Sequence, residues 1–253
     1  MNVFLTGASS GIGEALARLY AARGATLGLL ARRAEMMQRL GEGLATRCEI
    51  YPADVRDADA VKAAAGDFIA KHGAPDIVVG NAGVSYGTVT GHESDLPAFR
   101  ETLDINVMGL VNTFQPFVEP MRARGRGSLV GIASVAGFRG LPGSGAYCAS
   151  KSAAIAYLES LRLELRGSGL KVTTLCPGFI ATPMTARNRY PMPFIIEADD
   201  AARRFARAID AGKSYAVIPW QMAIVGRILK ILPDFVYDRM MARAGRKPRK
   251  PGT

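Results

Sequence analysis

The sequence predicts an α/β fold in which helices cover both faces of a seven-stranded, doubly wound parallel sheet. Short apolar runs alternate with longer stretches of helical character along most of the 253 residues. The short runs are apolar throughout, which is typical of strands buried on both faces of a parallel sheet. A glycine-rich segment follows the first run, and no internal linker or repeat divides the chain. We therefore expect one domain with right-handed crossovers.

The elements follow from these runs in order. Strands are predicted at residues 3–5, 26–30, 48–52, 77–80, 128–134, 171–176 and 215–219. Helices are predicted at residues 13–23, 34–44, 58–72, 98–122, 146–166 and 199–211. Beyond the last strand, apolar residues recur at helical spacing with basic residues between them. We expect a sheet domain over residues 1–220 and an amphipathic helical extension with a basic tail over residues 221–253. Within this extension, residues 246–253 are expected to be disordered.

The net charge of +10 is concentrated in the extension. Eight of the 32 basic residues and two of the 22 acidic residues lie in residues 222–253, so the extension carries six of the ten net charges. The remaining chain is only mildly basic, which argues against a nucleic-acid partner.

Other features of the composition exclude several classes of protein. Hydrophobic residues make up 49% of the chain, which excludes global disorder. The sequence has no apolar run long enough to predict a transmembrane helix and no evident signal peptide. Cys48, Cys148 and Cys176 are odd in number and lack CxxC spacing, so we expect neither disulfides nor a zinc site. With only two histidines, no metal is expected. The cysteine pattern favours a reducing compartment and therefore a cytoplasmic location.

The glycine-rich segment Thr-Gly-Ala-Ser-Ser-Gly-Ile-Gly joins the first strand to the first helix. Glycines permit a tight turn and close approach of the backbone to a ligand, and the helix N-terminus offers free N–H groups to a pyrophosphate. The position of the segment predicts a dinucleotide site. The predicted contacts in this turn are Gly7, Ser9, Ser10, Gly11, Ile12 and Gly13.

The second strand is followed by Arg32 and Arg33, where dinucleotide sites that select NAD carry an acidic residue. A guanidinium group matches a 2′-phosphate in charge and geometry. NADP(H) is therefore preferred over NAD(H) as the cofactor. The alternative is that these arginines are solvated charges at the start of the next helix.

With these features, the chain resembles the short-chain dehydrogenases/reductases of the TGxxxGxG and YxxxK type, over about residues 2–220. The resemblance implies a Rossmann-like fold and an oxidoreductase that interconverts a carbonyl and an alcohol. The motifs that carry it are Thr6–Gly13, Asp54-Val55, Asn81-Ala82-Gly83, Asn106, Ser134, Tyr147-x-x-x-Lys151, and Pro177-Gly178 with Thr182.

The resemblance implies a catalytic set of four residues. Tyr147 and Lys151 share a helix face, and a nearby ammonium lowers the pKa of a phenol from about 10, so Tyr147 can exchange a proton with the substrate. Ser134 is expected to orient the substrate oxygen. Family members use the counterpart of Asn106 to hold a water in a proton relay, and that of Lys151 to bind the nicotinamide ribose. Each residue, taken singly, also has an ordinary structural explanation.

The resemblance also implies further cofactor contacts. Asp54 and Val55 would meet the adenine ring, and Ser9 a 2′-phosphate. The segment Asn81, Ala82 and Gly83 would lie beside the adenine ribose. Residues after the sixth strand would meet the nicotinamide and its carboxamide: Pro177, Gly178, Ile180 and Thr182.

Substrate and partners are less closely defined by the sequence. The loop over residues 179–197 is rich in apolar side chains, which suits an apolar carbonyl substrate or simple packing, while Arg187 and Arg189 could meet an anion. One alternative function is a 3-oxoacyl or lipid-linked ketone reductase at a membrane surface, and another is a non-catalytic nucleotide-binding regulator. The resemblance implies a dimer or tetramer through the helices bearing Asn106 and Tyr147. The extension could contact an anionic membrane on its cytoplasmic face, or pack over the pocket or a second subunit.

Overall fold

The architecture is taken from a computed structural model, which describes residues 1–250. Its strands are β1 Asn2–Thr6, β2 Thr26–Ala31, β3 Cys48–Pro52, β4 Ile77–Gly80, β5 Gly127–Ile132, β6 Leu170–Pro177, β7 Ile180–Ala181, β8 Ile196–Glu197 and β9 Tyr215–Ile218. Its α-helices are α1 Gly11–Ala22, α2 Ala34–Glu42, α3 Ala58–His72, α4 Leu96–Leu103, α5 Gly109–Arg124, α6 Gly145–Glu164, α7 Ala198–Asp210, α8 Trp220–Ile231 and α9 Asp234–Met241.

The seven long strands form one parallel sheet in the order β3-β2-β1-β4-β5-β6-β9. The strand order reverses between β1 and β4, which is where ligands bind in doubly wound sheets. The predicted α/β fold and its seven-stranded parallel sheet are therefore confirmed. The fifth strand ends at Ile132 rather than at residue 134, so Ser134 lies in the loop after it. The short strands β7 and β8, which the sequence did not predict, pair with each other.

Apolar side chains bury both faces of the sheet. One core cluster includes residues of α1, α2 and α7, and the other includes residues of α3, α5 and α6. On the second face, a Cβ at Gly131 in β5 would overlap the Leu158 side chain of α6. Only glycine allows α6 to approach the sheet so closely, and this helix carries Tyr147 and Lys151.

The helix predicted over residues 98–122 is divided in the structure. Helices α4 and α5 are separated by a π-helical turn, Asp104–Met108, which contains Asn106. Such turns insert an extra residue into a helix and are frequent at functional sites. Hydrophobic periodicity does not distinguish this local change of pitch from a continuous helix.

The extension packs onto the sheet domain through Arg139. Its guanidinium donates to the carbonyl oxygens of Leu229 and Leu232 at 2.5 and 2.6 Å and lies 3.9 Å from the centre of the Tyr237 ring. It also pairs with Asp234 at 2.6 Å. Helices α8 and α9 are thereby held against the loop that follows Ser134. Within residues 1–250, no helix is both long and apolar enough to cross a bilayer.

The prediction that residues 246–253 are disordered is wrong for residues 246–250. The Pro248 carbonyl accepts a hydrogen bond from Gly87 at 2.8 Å, and Arg249 donates to Asp95 at 2.7 Å. The basic side chains find acidic partners elsewhere in the chain, which a local reading of composition does not detect. Residues 251–253 lie outside the described part of the chain.

We predict that Phe68→Ala lowers the free energy of unfolding by about 3–5 kcal/mol, because Phe68 is fully buried. Its ring meets the Phe4 ring edge-on, with 5.5 Å between the ring centres. Chemical denaturation followed by circular dichroism measures this change. The matched control is Phe235→Ala, whose ring is 77% exposed and whose removal should change stability by less than about 0.5 kcal/mol. Equal effects of the two substitutions would contradict the assignment of Phe68 to the core.

Candidate active site

A crevice opens at the carboxyl edge of the sheet, between the loops that follow β1 and β4. Most of the residues expected to bind the cofactor line it. They are Gly7, Ser9, Ser10, Gly11, Ile12, Arg32, Arg33, Asp54, Val55, Asn81, Ala82, Gly83, Tyr147, Lys151, Pro177 and Thr182. No sequence pattern indicated seven further lining residues, which are Ala31, Ala53, Val84, Ile105, Ile132, Ala133 and Pro183. These are mostly apolar neighbours of the motifs and carry no distinctive pattern.

The glycine-rich turn is held by the segment after β4. The side-chain amide nitrogen of Asn81, Nδ2, donates to the carbonyl oxygens of Thr6 and Gly7, both at 3.1 Å. Gly7 has φ = 69°, in the left-handed region. A Cβ at Gly13 would overlap the Gly7 carbonyl, so this buried glycine shapes the turn without lining the crevice. The backbone therefore leaves room for a phosphate at the N-terminus of α1, as a dinucleotide requires.

Arg33 lies directly against this turn. Its guanidinium donates to the Ser9 hydroxyl at 2.8 and 3.2 Å and to the Ser10 hydroxyl at 2.8 Å. Arg32 instead forms a longer ion pair with Asp54 at 3.8 Å and is about half exposed. The two arginines are thus not equivalent, and Arg33 joins a positive charge to two hydroxyl groups at the phosphate turn.

Asp54 is held by a residue that the sequence analysis missed. Arg56 pairs with its carboxylate at 2.7 Å, and this hydrogen bond, together with the charges of Arg56 and Arg32, lowers the pKa of Asp54. The Val55 carbonyl accepts a hydrogen bond from Asn112 at 2.9 Å, which orients the loop after β3. Only the proximity of Arg56 to the Asp54-Val55 motif could have indicated its role.

Tyr147, Ser134 and Lys151 meet beyond the ends of β5 and β6. The Ser134 hydroxyl lies close enough to Tyr147 to lower the pKa of its phenol. The Lys151 ammonium donates to the Ile132 carbonyl at 2.8 Å and lies 5.8 Å from the centre of the Tyr147 ring. The structure therefore brings the three predicted catalytic side chains together.

Burial dominates the protonation of this group. Burial raises the pKa of Tyr147 to about 12, and the nearby Ser134 side chain lowers it to a smaller extent. Burial lowers the pKa of Lys151 to about 8. We expected Lys151 to lower the pKa of Tyr147, and the structure differs because both groups lie in a low-dielectric environment that favours their uncharged forms.

Asn106 lies behind this group and is only 2% exposed. Its amide accepts from the Val84 nitrogen at 2.8 Å and donates to the Val84 carbonyl and to the Ser150 hydroxyl, each at 2.9 Å. The side chain thus joins the loop after β4 to α6, next to Lys151. Its part in a water-mediated relay stays a prediction.

The loop after β6 closes the other side of the crevice. Thr182 lies close to the turn, since a Cβ at Gly11 would be 3.1 Å from the Thr182 methyl group. Gly178 packs beneath Met222, and Ile180 is 2% exposed within the core, so neither lines the crevice. Their predicted contacts with a nicotinamide remain untested.

The substrate side contains apolar residues from the predicted loop and one unexpected cation. Phe179 and Tyr190 meet with 6.3 Å between their ring centres, while Phe194 and Ile195 remain exposed. The Lys247 ammonium lies over the Tyr147 ring, 5.0 Å from its centre. Nothing in the sequence indicated this contact, because 100 residues separate the two positions.

Comparisons with known proteins agree with this geometry. A family model described as short chain dehydrogenase matches residues 1–192. An uncharacterized oxidoreductase of Myxococcus xanthus (strain DK1622) is 40% identical over 245 residues, 96% of this chain and 96% of that protein. A crystal structure of levodione reductase matches with a TM-score of 0.80 and 25% identity over 88% of this chain and 97% of its own. The closed form of serine dehydrogenase, complexed with NADP⁺, has a TM-score of 0.75 and 25% identity, and covers 83% and 89% of the two chains.

Proposed function

Because this chain belongs to the short-chain dehydrogenase/reductase family, it is an NAD(P)-dependent oxidoreductase, and we propose that it interconverts a carbonyl and an alcohol with NADP(H). The observation that carries this proposal is the meeting of Tyr147, Ser134 and Lys151 beside the phosphate turn. A half-buried phenol next to a hydroxyl and an ammonium is suited to exchange a proton with a substrate oxygen.

The residues that would hold the dinucleotide are the glycine-rich turn, Arg33, and the segments that begin at Asp54, Asn81 and Pro177. Their fit rests on the turn that admits no side chain at Gly13 and on the free N–H groups of α1. When bound, the nicotinamide supplies or accepts the hydride.

The chain's own residues handle the proton and the oxygen. Ser134 donates a hydrogen bond to the substrate oxygen and orients it beside Tyr147. The Tyr147 phenol is protonated at neutral pH, and burial raises its pKa further, so in carbonyl reduction it is ready to donate its proton to that oxygen. In alcohol oxidation the phenol must first lose its proton. A charged Lys151 ammonium favours this loss because it stabilises the phenolate. Asn106 would hold the water that returns the proton to solvent.

We predict that Tyr147→Phe lowers kcat for carbonyl reduction by about 10²- to 10⁴-fold, because it removes the proton donor and leaves the ring in place. NADPH oxidation with a panel of ketones and aldehydes measures this effect. Tyr157→Phe, on the same helix and away from the crevice, is the matched control and should keep activity. Retained activity in Tyr147→Phe would remove the assigned role. Nucleotide binding without turnover in the native protein would instead favour the non-catalytic regulator.

The preference for NADP(H) rests on Arg33. Its guanidinium and the Ser9 and Ser10 hydroxyls converge next to the phosphate turn, as a 2′-phosphate site requires. The structural neighbour named serine dehydrogenase was solved with NADP⁺, which is consistent with this assignment. Arg32 contributes less, since it is engaged with Asp54.

We predict that Arg33→Gln lowers kcat/KM for NADPH by about 10- to 100-fold and leaves that for NADH nearly unchanged, because it removes one charge-assisted contact with the 2′-phosphate. Steady-state kinetics with both cofactors measures the ratio. Arg39→Gln, farther along α2, serves as the control. Equal losses with the two cofactors would contradict selection of the 2′-phosphate by Arg33.

The proposed substrate has an apolar body. The loop over residues 179–197 presents Met184, Phe194 and Ile195 at its surface and Phe179 and Tyr190 within it. These side chains suit an apolar carbonyl compound. A 3-oxoacyl or lipid-linked ketone belongs to the same class of substrate and would require access to a membrane surface.

The extension provides a surface that suits such a membrane. Trp220, Ile224, Ile228 and Ile231 follow one another at helical spacing along α8 and are 63%, 51%, 50% and 80% exposed. Arg227 and Lys230 are exposed on the same helix. An apolar stripe flanked by cations can lie at an anionic lipid surface. We therefore propose a cytoplasmic protein that makes peripheral contact with the membrane through α8.

We predict that the protein sediments with phosphatidylcholine vesicles containing phosphatidylserine, less with pure phosphatidylcholine, and less still at high salt. Ile228→Ser combined with Ile231→Ser should reduce binding several-fold, because it removes apolar area from the stripe. The control is Met36→Ser, which alters an exposed apolar residue on α2, away from the stripe. Binding that is the same for all variants and lipids would exclude α8 as the contact.

We also propose that the protein forms a dimer or tetramer through the helices around Asn106 and Tyr147. Met108 and Leu163 are 51% and 57% exposed on these elements. A second copy that packs against these elements would cover both side chains. This surface differs from the stripe on α8, so association and membrane contact are compatible.

A further inference from the structure

Residues 244–250, which we name the C-terminal strap, cross the substrate side of the crevice. The Pro248 carbonyl accepts from Gly87 at 2.8 Å, and a Cβ at Gly87 would overlap the Lys247 carbonyl. Arg249 pairs at 2.7 Å with Asp95, whose side chain is only 3% exposed. A well-buried carboxylate and a tight backbone contact therefore anchor the strap.

The anchored strap holds Lys247 over the catalytic tyrosine. Its ammonium lies 5.0 Å from the centre of the Tyr147 ring, and burial lowers its pKa to about 8. Arg249 and Lys250 pair with Asp95 and Glu101. Across residues 1–250, by contrast, no carboxylate forms an ion pair with Lys247.

An ammonium that is largely removed from water is costly unless an anion neutralises it. Arg249 and Lys250 meet this need within the chain, whereas Lys247 faces the place where the substrate must lie to reach Tyr147. Its charge is therefore available to a ligand in the crevice.

We propose that Lys247 is a specificity-determining residue that binds a carboxylate of the carbonyl substrate. This inference rests on the proposed function and narrows its substrate class to oxo acids with an apolar body. The phenol of Tyr147 would meet the carbonyl oxygen, and the ammonium over the same ring would meet a carboxylate a few carbon atoms away. Apolar side chains such as Phe179 and Tyr190 would surround the rest of the molecule.

Paired acids and esters test this proposal. The probes are levulinate and methyl levulinate, and pyruvate and methyl pyruvate, each assayed with NADPH. Lys247→Met should lower kcat/KM for the acids by about 10- to 100-fold, the effect of one charge-assisted hydrogen bond, and leave the esters nearly unchanged. Lys247→Arg should keep most of the activity on the acids. Arg246→Gln removes a neighbouring exposed cation and is the matched control.

Calorimetric binding of levulinate in the presence of NADP⁺ separates this inference from the proposed function. Binding that Lys247→Met weakens, without turnover of any carbonyl compound, would support the anion site and contradict the proposed function. Turnover of ketones with equal losses on acids and esters in Lys247→Met would overturn the anion site and leave the proposed function in place. The absence of both binding and turnover would overturn both.

Discussion

The active site depends on the pairing of β1 with β4 at the centre of the sheet. Hydrogen bonds join these parallel strands, and the chain leaves their carboxyl ends toward opposite faces of the sheet. The crevice that results brings Thr6 and Asn81 together, where the Asn81 backbone donates to the Thr6 hydroxyl at 3.2 Å. The phosphate turn keeps its shape because these hydrogen bonds hold it. The residues proposed to bind the dinucleotide lie around this point.

The acid–base properties of the site follow from the depth at which α6 packs. The helix lies close to β5 because Gly131 leaves space for Leu158, and this places Lys151 against the Ile132 carbonyl. At this depth, burial raises the pKa of Tyr147 and lowers that of Lys151. The same packing that stabilises the fold therefore shifts the pKa values of both side chains.

The extension, which carries six of the ten net charges, holds cations at two separate locations. On α8, Arg227 and Lys230 remain exposed beside an apolar stripe. In the strap, Arg249 turns inward to a buried carboxylate, and Lys247 lies over the Tyr147 ring. The first group suits an external anionic surface and the second an anion within the crevice. The extension thus presents cations both to solvent and, in the strap, to acidic and aromatic side chains of the sheet domain.

The sequence by itself determined the order of strands and helices and the position of each motif at a strand end, because burial on both faces leaves continuous apolar runs and because parallel strands end at one edge. It also indicated Arg33 and the group formed by Ser134, Tyr147 and Lys151. Only the tertiary structure decided the π-helical turn at Asn106, the unequal roles of Arg32 and Arg33, and the strap over Tyr147. Such features arise from contacts between residues far apart in the chain, and these contacts leave no local periodicity or spacing in the sequence.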